Sequence, residues 1–112
     1  MMISADLLRG YTDAVILRQL ADEDGYGYQI SKQVANASGG RLELKEATLY
    51  TAFRRMEGAG FIRSYWGNEE IGARRRYYSL TEEGRKKLSE EVRAWHETRE
   101  VLNRLLEEEK QL

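Results

Sequence analysis

From Thr81 to about Lys110 the chain carries large apolar side chains at helical spacing, and the rest of it is too short to cover them. Leu88, Trp95 and Leu102 recur at every seventh position, with Val92, Thr98, Leu105 and Leu106 beside them. The Thr81 hydroxyl suits an N-cap, and Glu82 and Glu83 suit the positive end of the helix dipole. Such a helix is roughly 45 Å long at about 1.5 Å per residue. The preceding residues, 1–80, make only a small domain, so a lone subunit leaves much of the stripe in water. Burial contributes about 1.5–3 kcal/mol per large apolar side chain. Leu88, Val92, Trp95, Leu102, Leu105 and Leu106 therefore predict a two-fold homodimer, with residues 81–112 as its dimerisation helix.

Upstream, Leu7, Leu8, Val15, Ile16 and Leu20 predict one amphipathic helix from about Ser4, its N-cap, to Leu20. A second is expected from about Tyr26 to Ala37, with Ile30 and Val34 inward and Gly39-Gly40 as its stop. A third runs from about Lys45 to Gly58, its Leu49, Phe53 and Met56 forming one core stripe. The period then changes. Phe61 to Trp66 and Arg74 to Leu80 flank the turn-rich Gly67 to Gly72, which predicts a β-hairpin with a projecting loop. The order implies a mainly α fold with a small β-hairpin, a winged helix-turn-helix over 1–80 followed by the long helix.

Chemistry is limited by composition. There is no Cys and one His, so disulfides, thiolate nucleophiles, Cys-ligated zinc and a Ser-His-Asp relay lack material. No P-loop, G-x-G-x-x-G or H-E-x-x-H occurs. The expectation is no enzyme, no metal and no cofactor. With 33% charged residues and no apolar run of about 18, a cytoplasmic soluble domain without a membrane segment is expected.

The formal charge is only −1, but it is unevenly spread. Residues 1–40 hold three basic and five acidic side chains, residues 41–80 eight and five, and residues 81–112 seven and nine. Positive charge thus collects in the third helix and the hairpin, as a phosphate-contacting surface needs. With its core stripe inward, the third helix turns out Ala47, Thr51, Arg54 and Gly58, flanked by Lys45, Thr48, Tyr50 and Arg55. Small residues at the centre let a backbone approach base edges, and edge cations reach phosphate or guanine. Arg74, Arg75 and Arg76 stand in the hairpin before Tyr77 and Tyr78. An anionic partner relieves their mutual repulsion, and so does pairing with Glu57, Glu69 or Glu70. Both DNA contact and a solvated face fit the spacing.

The segments Glu46-Ala-Thr-Leu-Tyr-Thr-Ala-Phe-Arg-Arg-Met-Glu, Gly60-Phe-Ile-Arg-Ser-Tyr-Trp-Gly and Gly72-Ala-Arg-Arg-Arg-Tyr-Tyr-Ser-Leu-Thr-Glu-Glu-Gly resemble the PadR family of bacterial transcriptional regulators. The short form with a Trp in its last helix is similar to the LmrR-like, multidrug-responsive branch. Ala47 and Thr51 stand where many members have Gly and Pro, so no operator sequence carries over.

The resemblance implies a homodimeric repressor on a pseudo-palindromic double-stranded DNA operator. Its third helices would enter successive major grooves about 34 Å apart. It also implies release by a planar aromatic effector bracketed by the two copies of Trp95, walled by Gly10, Asp13, Ala14, Thr98, Arg99 and Leu102. Arg99 stands where the multidrug branch has an acidic residue. A neutral or anionic ligand is therefore expected, unless Asp13, Glu91 or Glu100 neutralises the guanidinium. Two readings compete: a ligand-independent dimeric DNA-binding module, or a protein-interaction module whose stripe takes another protein's helix. Trp95 as plain interface packing also fits, and His96, about 100° round the helix, is expected in solvent.

Overall fold

A computed structural model describes residues 1–68 and 72–107 of the chain. Glu69, Glu70 and Ile71 of the hairpin loop, and the expected helix end at Lys110, lie outside the described residues.

The single helix expected from Ser4 to Leu20 is two. Ser4 does cap a helix, its Oγ accepting from the Leu7 N–H at 3.1 Å, but α1 covers only Ala5–Leu8. Gly10 then takes φ +95°, a backbone region that a side chain strongly disfavours, and α2 begins afresh at Thr12–Asp22. Ile16, Leu17 and Leu20 of α2 enter the core. A two-residue strand, β1 (Gly25–Tyr26), leads directly into α3 (Gly27–Ala37). Ile30 and Val34 of α3 are buried, and Gly39 and Gly40, at φ +67° and +80°, end the run as expected.

The third expected helix is α4 (Glu46–Gly58), which buries Ala52 along with Leu49, Phe53 and Met56. The hairpin follows as β2 (Ile62–Trp66) and β3 (Arg76–Leu80). These pair antiparallel from Ile62↔Leu80 to Trp66↔Arg76. β1 adds to the other edge of β3 through Gly25↔Tyr78 and Tyr26↔Tyr77, giving the order β1-β3-β2. The sheet is joined to the helices through Tyr78, whose buried ring stacks on Phe53 at 3.9 Å. Burial pushes the Tyr78 phenol above its ordinary pKa.

The last helix, α5, spans Glu82–Leu106. Thr81 Oγ1 accepts from the Gly84 N–H at 3.0 Å and donates to the Gly60 carbonyl at 2.7 Å, which fixes where α5 leaves the sheet. Gly84 lies buried on the Phe61 carbonyl. One turn on, Leu88 packs against the core of its own subunit. This side chain, expected in the dimer interface, is half-buried where α5 leaves the sheet. Farther along, the helix keeps Tyr11 of the winged unit against Trp95 but otherwise turns its apolar stripe outward. Val92, Trp95, Val101, Leu102, Leu105 and Leu106 are all exposed, the last two by 73% and 74%.

Candidate nucleic-acid interface

The outer face of α4 is as its period requires: Ala47, Thr48, Thr51, Arg54, Arg55 and Gly58 are exposed, with Lys45 at the N-cap position. Tyr50 is partly committed elsewhere. Its ring lies edge-on to Phe53 at 5.6 Å, and its hydroxyl sits over Gly27, where an added Cβ would fall 2.7 Å from Oη. A glycine at the start of α3 thus lets the two helices of the helix-turn-helix approach through this ring.

Arg55 is also engaged. Its Nη1 and Nη2 donate to Asp13 Oδ2 and Oδ1 at 2.6 and 3.1 Å, a fork joining α4 to the first turn of α2. A residue expected at DNA and one expected at an effector therefore meet each other. Both line a groove of about 520 Å³, together with Gly10, Thr48, Thr51 and Lys87.

The wing arginines are held by rings. Arg74 and Arg76 each place a guanidinium 5.7 Å from the centre of the Trp66 ring, and Arg75 lies 4.8 Å from that of Tyr26. Arg74 Nε donates to the Gly67 carbonyl at 3.3 Å. Arg76 donates to Ser64 Oγ at 2.7 Å and stands 3.6 Å from Glu57, while Ser64 donates to the same carboxylate at 2.6 Å. The Glu57 pairing weighed from sequence thus exists for Arg76; Glu69 and Glu70 lie outside the described residues. The Tyr65 hydroxyl donates to Asp24 at 2.6 Å, which raises the pKa of that phenol, and Tyr65 stacks on Tyr77. Tyr77 in turn meets Tyr26 edge-on at 5.4 Å. This ladder ties the wing to the entrance of α3. Sequence reasoning missed the roles of Trp66 and Tyr26; the signal available was the hairpin register, which sets Trp66 opposite Arg76.

In a single subunit the residues expected around an effector are divided among the described elements. Trp95 is 41% exposed and meets Tyr11 edge-on at 5.6 Å. Gly10 and Asp13 face the α4 groove, and Arg99 faces another, of about 460 Å³, with His96, Asn103 and Arg104. Ala14, Trp95, Thr98 and Leu102 line neither. Arg99 lies 3.4 Å from His96 Nδ1, whereas Asp13 is taken by Arg55, Glu91 by Lys87 at 3.3 Å and Glu100 by Arg104 at 3.8 Å. His96 is exposed. Among the described residues no group of three His, Cys, Asp or Glu side chains is placed to hold a metal, and no helix is long and apolar enough to cross a membrane.

Residues 16–90 match the model of the transcriptional regulator PadR-like family. The chain is 42% identical to a transcriptional regulator from Clostridium thermocellum whose structure superposes with a TM-score of 0.87, over 95% of this chain and 100% of that one. A PadR family transcription regulator from Clostridium difficile is 43% identical, with a TM-score of 0.76, over 87% of this chain and 99% of that one. A protein of Lysinibacillus sphaericus without an assigned function is 39% identical over 95% of this chain and 97% of its own length. On sequence and fold together, the chain belongs to the PadR-like family of transcriptional regulators.

Proposed function

We propose that the protein is a homodimeric, DNA-binding repressor that lays α4 in the major groove and its wing along the backbone. One observation carries this reading: the exposed, small-centred face of α4 stands in the same fold as a wing that presents three arginines on aromatic rings. In it Lys45, Thr48, Thr51 and Arg54 touch base edges and phosphates, Tyr50 contributes its exposed edge, and Arg74, Arg75 and Arg76 follow the backbone. The uncovered stripe of α5 supplies the second subunit, and a two-fold pair reads a pseudo-palindromic site.

The test is binding to a labelled duplex that the protein itself enriches from a random-sequence pool, measured across a salt series. Arg54→Ala and Arg75→Ala are each expected to weaken binding. Each lowers the slope of log K against log salt by about 0.9 for every phosphate that the variant no longer neutralises. Unchanged affinities together with unchanged slopes in both variants would remove these arginines from the interface.

The half-exposed Trp95, held edge-on by Tyr11 on an uncovered helix face, favours a second element of the same reading. Two such rings across a dimer axis bracket a planar aromatic effector, as in the multidrug-responsive branch. With Arg99 bound to no carboxylate among the described residues, the favoured effector is neutral or anionic. In a Trp66→Phe background Trp95 is the sole tryptophan. Its emission is expected to be quenched at lower concentration by an anionic flavin-like or phenolic compound than by a cationic ring of matched size. The reverse order contradicts the charge argument.

A further inference from the structure

We infer that Asp13 is a positioning residue for α4, and that the first turn of α2 carries the setting of α5 to the DNA-reading helix. The inference rests on the proposed reading of α4 as that helix. Asp13 and Arg55 are 42 residues apart in sequence, yet they form the two-bond fork that fits guanidinium to carboxylate. Each bond constrains orientation as well as distance. The fork sits in the last turn of α4, on the groove lined by Thr48 and Thr51, so a tilt of α4 that moves those hydroxyls also strains it.

The other end of the link lies two residues earlier. Tyr11 stands at the N-cap of α2, immediately after Gly10 turns the chain at φ +95°, and has its ring against Trp95 of α5. One short turn therefore touches α5 with Tyr11 and grips α4 with Asp13. A shift of α5 at Trp95 that moves this turn moves the carboxylate holding Arg55. By linkage the effect runs both ways: what DNA does to α4 is felt at Trp95.

Charge alone gives the opposite sign, which makes the idea easy to test. Removing a carboxylate beside a polyanion strengthens binding if the carboxylate does nothing else. As a positioning residue, Asp13 instead predicts that Asp13→Asn loses about two- to five-fold in affinity for the enriched duplex. Arg55→Gln should lose a similar factor, the double variant no more than either single one, and Asp13→Glu should stay within about two-fold of the parent. Salt slopes should not change in any of them, since the same phosphates stay neutralised. In the Trp66→Phe background, with duplex raised until anisotropy of the labelled duplex shows that variant saturated, Trp95 emission should change, and Asp13→Asn, likewise saturated, should abolish that change.

Tighter binding by Asp13→Asn, or a lower slope in Arg55→Gln, overturns the inference and makes Arg55 a phosphate-binding side chain restrained by Asp13. A Trp95 emission that ignores duplex in the parent overturns the link to α5. If the wild-type protein enriches no sequence at all, the DNA-binding reading fails and takes this inference with it.

Discussion

Gly84→Ala is expected to destabilise the fold by about 3 kcal/mol, a large share of the roughly 5–15 kcal/mol that holds a domain of this size together. Helix propensity argues the other way, because alanine in place of glycine favours a helix by about 1 kcal/mol. Sterics decide it. The added methyl would lie 2.0 Å from the Phe61 carbonyl oxygen and 2.6 Å from Leu80 Cδ1. Leu80 is core, and the carbonyl is pinned by the Thr81 N–H at 3.1 Å, while the Thr81 side chain holds the neighbouring Gly60 carbonyl. Relief requires lifting α5 from the sheet, which breaks the cap and uncovers Leu88. Gly58→Ala is the control, since the added methyl meets nothing within 4 Å and the residue is helical. It should be neutral or stabilise by up to about 1 kcal/mol. Urea unfolding of the two variants checks the contrast, and equal midpoints would contradict it.

The second large effect concerns association. Leu102→Glu combined with Leu105→Glu is expected to leave a folded subunit that no longer pairs and that binds the enriched duplex at least about 100-fold more weakly. Leu102 and Leu105 are exposed in the single chain, so they do little for its own core. Across a two-fold interface, however, four leucines leave water, worth on the order of 6–12 kcal/mol at about 1.5–3 kcal/mol each. That range is comparable to the whole free energy of a nanomolar dimer, about 12 kcal/mol. The new carboxylates add repulsion. Linking two DNA-reading units multiplies affinity by about 10²–10⁴ through effective concentration, and this factor disappears with the dimer. Sedimentation gives the mass and circular dichroism the retained helix; a variant that still pairs would move the interface elsewhere.

How far the fold was legible follows from the range of each interaction. The core stripe of α4, the hairpin and the Thr81 cap were readable because each is written within a few consecutive residues. The break at Gly10 was not, since apolar residues continue on both sides at spacings one helix also satisfies. β1 is two residues long, below any window in which a period can be counted. Helical period placed Arg55 on the outer face of α4 and the family resemblance placed Asp13 beside an effector, while tertiary folding brings the two into one fork across 42 residues. Trp66 was visible as an aromatic in a strand, but its position between Arg74 and Arg76 depends on the hairpin register. Leu88 shares the heptad of Trp95 and Leu102, and a heptad alone does not tell which of its members the winged unit already covers.

The most direct measurement is the composition and footprint of the complex with the enriched duplex, by native mass spectrometry and hydroxyl-radical cleavage. Two chains per duplex, protecting two patches centred about 34 Å apart along the helix axis, are expected of paired α4 helices in successive major grooves. One chain per duplex with a single protected patch, or protection that ignores sequence, would contradict it.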